Sequence, residues 1–398
     1  MNSKKLRYLS FIAPVVIVII LLSTYSLISF YIGEKNFLAF SFLHPHINKL
    51  IYWTIFWIMT FSYIIGITFK KFLNDKISNL FINVGFFWLG LFYYFLLVFC
   101  FLHIFRLIVV NFHLIYENSI FYRILVNYNS FTVLIIVAII NIYGTYIGKH
   151  RVITKYNIKL NKKCVNLNHL NVIFVSDVHL GTGFGEKSLE TMVSNINNLK
   201  PDIIFICGDL IDENTPKNLK DIIAPVLIKL NSKYGTYGVL GNHEYGAGNL
   251  ENTLQSFKNS NITLLRDSFV EIDHSFYVIG RDDLSTEREP SKSRKTMSSI
   301  LNGTDKKMPI IVLDHQPARL SSLEQGQIDL QLSGHTHHGQ FFPNNLITKT
   351  IYDDSYGYLR SNNYQLIVSS GYGTWGPLLR IGTKSEIVQI QIDFFDGN

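Results

Sequence analysis

Residues 170–179 read Leu-Asn-Val-Ile-Phe-Val-Ser-Asp-Val-His, and the fold turns on this stretch. Leu170–Val175 is apolar and β-branched, the composition of a strand covered on both faces. It ends at Ser176-Asp177, with His179 two residues further on. On extended backbone residues two apart face the same way, so Asp177 and His179 can hold one ion together.

The theme recurs downstream. Lys187–Leu199 has helical spacing and stops before Pro201, and Asp202–Cys207 is a second buried strand ending at Gly208-Asp209. Lys217–Leu230 reads as helix, and Thr236–Leu240 as a strand ending at Gly241-Asn242. Ile310–Leu313 and Leu330–Leu332 end at Asp314-His315 and Gly334-His335. Such alternation implies an α/β layered fold. Phe276–Gly280, Gln365–Val368 and Glu386–Phe394 add strands, some of them for a second, mixed sheet. In open α/β sheets the ligand site lies beyond the carboxyl ends of the strands, so five chain positions converge on one mouth.

Seven side chains at that mouth are candidate metal ligands: Asp177, His179, Asp209, Asn242, His315, His335 and His337. Carboxylate oxygen and imidazole nitrogen without thiolate suit Mn²⁺, Fe or Zn²⁺. Seven is too many for one tetrahedral ion and suits two ions sharing a bridging carboxylate. The glycines at 208, 241 and 334 let the backbone turn beside a crowded ion pair.

Taken in order, Asp177-x-His179, Gly208-Asp209, Gly241-Asn242-His243-Glu244, His315 and Gly334-His335-Thr336-His337 resemble the signature of the calcineurin-like metallophosphoesterases. The resemblance covers roughly residues 168–394. The phrase GTWGPLLRIGT around Trp375, with Gly280-Arg281-Asp282-Asp283, is similar to the bacterial, often membrane-anchored branch. It implies a four-layer αββα sandwich with a dinuclear metal centre, Mn²⁺ foremost. By resemblance Asp177, His179 and His337 hold the first metal, and Asn242, His315 and His335 the second. Asp209 bridges them, and His243 sits beside the scissile phosphate rather than on a metal. The implied chemistry is in-line attack of a metal-acidified water on phosphorus, with His243 protonating the leaving group. His338 stands where related sequences often have Gly, a position from which it can contact substrate.

Other residues carry blander expectations. Gly181-x-Gly183-x-Gly185 reads as a strand-to-helix connection, since it fits neither phosphate-loop fingerprint. Tyr245 and Arg281 read as a satisfied aromatic and a surface salt bridge, or as substrate contacts. His169 and His274 read as surface histidines, and Cys207 as core.

The preceding 150 residues are of another kind. They hold 11 Lys+Arg and 3 Asp+Glu, net +8, whereas residues 151–398 hold 25 and 26, net −1. A near-neutral second part lacks the basic stripe that nucleic acid requires. Hydrophobic residues are 48% of the whole and charged ones 16%, and 30 Phe with 22 Tyr exclude intrinsic disorder. Three Cys without a C-x-x-C pair exclude a disulfide framework or structural zinc.

Four apolar runs, near Leu9–Phe30, Leu50–Phe69, Leu80–Val110 and Phe131–Ile147, approach or exceed the ~20 residues that cross a bilayer. No small-residue cleavage site follows the first, so it reads as a span rather than a signal peptide. Basic residues cluster at Lys4, Lys5 and Arg7, at Lys70, Lys71 and Lys76, and at Lys149, Arg151 and Lys155, with Lys35, Lys49 and Arg123 on the other links. That bias puts both termini in the cytoplasm, in keeping with reduced Cys164 and Cys207. His103, Arg106 and Asn141 fall inside the runs, where they read as interhelical hydrogen bonding and snorkelling, or else as contacts to the headgroup or pyrophosphate of a lipid substrate.

The expected organisation is an all-α transmembrane bundle over 1–150, a connector over 151–168 and the α/β metallophosphoesterase domain over 169–398. The expected function is a membrane-anchored phosphoesterase acting on phosphodiester or pyrophosphate bonds. Its partners are the bilayer and a lipid-linked phosphate at the inner leaflet of a bacterial cell membrane, with no nucleic acid. Two other readings stand beside it: a soluble nucleotide or phosphoprotein as substrate, and a membrane sensor with the metal domain as regulatory module.

Overall fold

A computed structural model of the chain describes residues 3–395 apart from 117–118, 121, 123–129, 182, 213–214, 247–249, 289–292 and 318–324. For residues 3–12 and 252 it describes the backbone alone, and Arg123 lies outside the described residues. The chain divides into two compact units, Met1–Tyr143 and Gly144–Asn398.

Among the described residues four helices are long and apolar enough to cross a membrane: Ala13–Leu43, Lys49–Thr68, Asp75–Asn111 and Ser130–Lys149. Small residues let them approach. A Cβ on Gly85 would run into the Tyr63 backbone, and one on Gly66 would come within 2.8 Å of the Ile82 side chain. Polar groups pair inside the first unit: Trp88 Nε1 donates to Tyr25 Oη at 2.8 Å, and Tyr25 Oη to Thr60 O at 2.8 Å. His103 Nε2 and Tyr31 Oη share a hydrogen bond of 2.7 Å between the first and third helices. Asn141 differs from expectation, because its Nδ2 donates to Val137 O at 2.9 Å within its own helix.

The second unit builds two six-stranded sheets from its described residues. The strands are β1 (Arg151–Leu160), β2 (His169–Val175), β3 (Ile203–Cys207), β4 (Thr236–Val239), β5 (Ile262–Leu264), β6 (Ser268–Ile272), β7 (Phe276–Gly280), β8 (Ile310–Leu313), β9 (Leu330–Ser333), β10 (Gly357–Ser361), β11 (Tyr364–Val368) and β12 (Ser385–Phe394). One sheet runs β1-β12-β2-β3-β4-β5, and the other β10-β11-β9-β8-β7-β6. The β2-β3-β4-β5 and β7-β8-β9-β11 pairings are parallel, which sends their carboxyl ends to one edge.

Alternation along each strand explains the layers. Leu170, Val172 and Phe174 join Phe205, Phe276, Val278, Leu313 and Leu332 in a core between the sheets. Ile173 and Val175 point the other way, onto Leu189, Met192 and Ile196 of the helix Glu186–Asn198. Ile279, Ile310 and Val312 face Met297, Ile300 and Leu301 on the far side of the second sheet. The result is the αββα sandwich that the resemblance implies, built on the α/β layering that the strand pattern leads one to expect.

One boundary differs. Residues 151–168 were expected as a connector, yet Arg151–Leu160 forms β1, paired in parallel with all of β12. The stretch reads as polar because β1 is an edge strand that buries only Ile158 and Leu160. Leu160→Asp should therefore destabilise the second unit by about 3 kcal/mol or more, since a buried carboxylate there finds no partner. A thermal melt of the detergent-purified protein reads this, and an unchanged midpoint would return 151–160 to a connector.

Candidate metal centre

The ligand candidates sit where parallel strands stop. Asp177 and His179 follow β2, Asp209 follows β3, Asn242 follows β4, His315 follows β8, and His335 and His337 follow β9. Asp177, His179, Asp209, His335 and His337 all adopt positive φ, between 48° and 68°. Non-glycine residues take that region at a cost of about 1–2 kcal/mol each, so the surrounding packing must hold them there. Backbone hydrogen bonds do so: Asp177 N donates to Gly208 O, His179 N to Asp209 O, and Gly334 N to His315 O, at 2.9–3.0 Å. Gly208, at φ +77°, has no room for a side chain, because a Cβ would stand 2.6 Å from His315 Nδ1. A Cβ on Gly334 would run into the Asp177 carboxylate.

Two sets of side chains converge. Asp177, His179 and His337 present one ligand atom each to a common point, and Asp209, His315 and His335 do the same. His179 Nε2 lies 3.0 Å from His337 Nε2, which lies 3.4 Å from Asp177 Oδ1. Ligand atoms about 2.1 Å from one ion are about 3.0 Å apart at a right angle and about 3.4 Å at the tetrahedral angle. The first set has the spacing of ligands around a cation. In the second, His315 Nε2 lies 3.0 Å from Asp209 Oδ2 without hydrogen-bond geometry. Asp209 Oδ2 is also 3.9 Å from His179 Nε2, so this one oxygen stands between the two sets. The Asn242 Oδ1 acceptor is buried, with no hydrogen-bond partner among the described residues. Acceptor oxygens and imidazole nitrogens without thiolate fit divalent cations such as Mn²⁺, Fe²⁺ or Zn²⁺.

Second contacts settle which imidazole nitrogen is offered. His315 Nδ1 donates to Cys207 O at 2.8 Å, and His179 Nδ1 donates to Asp212 Oδ1 at 2.6 Å. Each bond leaves Nε2 facing the centre. Burial opposes charge on His179, but Asp212, Asp209 and Asp177 more than offset it and raise its pKa. Asp209 and its neighbours likewise lift His315 well above the usual imidazole range against burial. Burial, with His179 and Arg380 nearby, pushes His337 well below that range, and burial with His315 lowers His335. Burial disfavours the Asp209 carboxylate, yet His315, His179 and His243 hold its pKa below the usual carboxylate range. These carboxylates draw positive charge towards the point where a cation supplies it.

His243 shares a third cluster with His179 and Asp209, and its Nδ1 is 3.4 Å from Asp212 Oδ1. The exposed Trp375 ring is centred 6.2 Å from the His243 ring. His338 stacks on Tyr356 with ring centres 4.4 Å apart. Tyr245 donates to Asp282 and accepts from Arg266 Nη2 at 2.9 Å, a satisfied aromatic. Arg281 is not a surface residue: it is buried and its Nη1 lies 3.4 Å from Asp314 Oδ2. Asp314 is held by Arg294 as well, at 2.5 Å, so this carboxylate faces arginines rather than the ligand sets.

Two functional residues escaped the sequence reading. Asp212 is four positions after Gly208, and only the turn beyond β3 brings it to His179 and His243. Glu244 was quoted in a motif without a role. Its buried carboxylate accepts from the backbone N–H of Asp209, Leu210, Ile211 and Gly241, at 2.6–3.2 Å. Burial, with Asp209 next to it, pushes its pKa up to about 7 despite those bonds. Its signal was position alone, an acid directly after a candidate ligand run.

The sequence profile described as Calcineurin-like phosphoesterase matches residues 170–339. An uncharacterized metallophosphoesterase of Aquifex aeolicus is 34% identical over 243 residues, covering 60% of this chain and 91% of that protein. One from Helicobacter pylori is 34% identical over 232 residues, 56% of this chain and 60% of its own length. A Danio rerio protein named transmembrane protein with metallophosphoesterase domain is 31% identical over 269 residues, 65% of this chain and 61% of its length. The chain thus spans about three fifths of the latter two relatives.

Removing Glu244 tests the loop geometry. Glu244→Ala leaves four buried N–H groups without acceptors, at about 1–3 kcal/mol each. Bound metal, counted by mass spectrometry on the purified protein, should fall below the wild-type ratio and the melting midpoint should drop. Wild-type values for both would remove Glu244 from the architecture of the site.

Proposed function

The chain belongs to the calcineurin-like phosphoesterase family, and from that premise we propose that it is a membrane-anchored, metal-dependent hydrolase of phosphodiester or pyrophosphate bonds. The observation that carries this reading is Asp209 Oδ2, which stands between the His179 and His315 ligand nitrogens of two converging sets. In it Asp177, His179 and His337 would hold one divalent cation, Asn242, His315 and His335 a second, and Asp209 both. When bound, such a pair supplies Lewis acidity to phosphoryl oxygens and acidifies a water.

The chain's own residues do the rest. Asp212 and Cys207 O turn His179 and His315 so that Nε2 faces inward. His243 has Nδ1 towards Asp212, which orients its ring for the role of general acid to the leaving oxygen. Exposed Trp375 borders His243 and stands at the rim beside this candidate general acid.

A lipid-linked substrate is favoured by the route of the chain. The fourth apolar helix ends at Lys149 and β1 starts at Arg151, so hardly any flexible linker separates a span from the first strand. Tethering of this kind keeps the centre at high effective concentration near a membrane surface. The basic residues at 70–76 and 149–155 favour the cytoplasmic side for that surface.

Three measurements test the reading. Asp209→Asn, stripped and reloaded with Mn²⁺, should lose at least about 10³-fold in turnover of a bis-aryl phosphodiester, as expected when both cation sites are disturbed; near wild-type rates would refute the shared ligand. His243→Ala should keep its bound metal and lose about 10²-fold or more on substrates with poor leaving groups, while loss of metal would make His243 a ligand instead. A reporter fused after Gly148 should be active only in its cytoplasmic form, and activity on the far side of the membrane would reverse the orientation.

A further inference from the structure

The chain from Gln340 to Ile381 exposes apolar surface beside the metal centre. None of the side chains of the helix Asn344–Ile351 is buried, and Leu346, Ile347 and Ile351 are each more than half exposed. At 3.6 residues per turn these three fall within an arc of about 140°. Phe342, just before the helix, is half exposed, and Trp375 is 58% exposed.

This patch is sewn to the end of the fourth apolar helix. Arg380 N donates to Gly144 O at 2.9 Å, Ile381 N to Gln340 O at 3.0 Å, and Phe342 N to Ile381 O at 2.9 Å. A Cβ on Gly144 would run into the side chains of Leu379 and Ile381, and one on Gly148 would meet the Leu378 backbone at 3.5 Å. Gln340 brackets Trp375, its Oε1 accepting from Trp375 N and its Nε2 donating to Trp375 O, both at 2.9 Å. Gly144 lies five residues, about 7.5 Å of helix, before Lys149, where the apolar run gives way to Lys149-His150-Arg151. Leu379 and Ile381 therefore touch this helix on the apolar side of its basic end, which in a membrane span is the depth where acyl chains meet headgroups.

We propose that Phe342, the Leu346/Ile347/Ile351 face and Trp375 lie in the headgroup–acyl boundary of the membrane crossed by that helix, and that the centre takes its substrate phosphate from this lipid surface. A short helix with one apolar arc is suited to lying in the interface plane, and an exposed tryptophan to the same depth. The bilayer is the occupant because the patch is bonded to a segment already inside it. The rim follows: Trp375 borders His243, and three residues separate His337 from Phe341. The proposal rests on the reading of Ser130–Lys149 as a span and of the centre as lipid-directed.

The test separates those layers. Single cysteines at Phe342, Ile347 and Ile351 are placed in the full chain carrying Cys100→Ala, where the remaining Cys164 and Cys207 are buried. Each is nitroxide-labelled and studied in nanodiscs of phosphatidylethanolamine and phosphatidylglycerol, with a label at exposed Asn259 as control. Oxygen should relax the three labels more than nickel–EDDA does, with the reverse at Asn259; nickel dominance at the three sites overturns the docking whatever the activity. Ile347→Asp combined with Ile351→Asp should lower turnover of a long-chain lipid phosphodiester in the discs by about tenfold while sparing a bis-aryl diester. Unchanged lipid turnover overturns delivery from the surface. Oxygen-dominated labels, with lipid left intact by a wild type that cleaves the aryl diester, support the docking and overturn the lipid-linked substrate alone.

Discussion

Glu244 belongs to neither converging ligand set, yet the metal corner hangs on it. A carboxylate removed from water is tolerable only when its lone pairs are filled, and four backbone N–H groups fill them here. Three come from the turn after β3 and one from the turn after β4, so one side chain staples two strand ends. The same turns deliver Asp209 and Asn242. Their separation is then set by a rigid carboxylate rather than by flexible loops, which the proposed sharing of Asp209 between two cations would require.

The price of such convergence is visible in the backbone. Ligand after ligand sits at positive φ, and the Asp177 and Asp209 carboxylates are fully buried. Packed layers on both sides of each sheet prevent these turns from relaxing. A divalent cation held there would relieve the electrostatic part of this cost, because it would supply the positive charge that His179 and His315 otherwise attract. Metal binding and stability of the second unit are linked on these grounds.

Placement of the first strand ties this centre to the membrane reading. An edge strand begins two residues after an apolar helix ends, and Gly144 and Gly148 are small where Leu378–Ile381 presses on that helix. The segment that presses there also carries Trp375 and leads to Phe342. One stretch of chain therefore meets the helix, walls the centre and exposes an apolar face.

The sequence by itself determined the layers and the candidate ligands. Continuous apolar strands can only be covered on both faces, and each strand stops at a polar residue able to bind a cation. It was equally clear about four apolar helices, since length and hydropathy are local properties. It misjudged 151–160 because an edge strand needs few buried side chains and so resembles a linker. Only the tertiary structure decided what Asp212, Glu244, Arg281 and Asp314 do: each carboxylate or guanidinium takes its role from a partner contributed by another turn or strand. Burial and pairing are properties of neighbours in space, and a lone acid or arginine in sequence carries no mark of which neighbour it will meet.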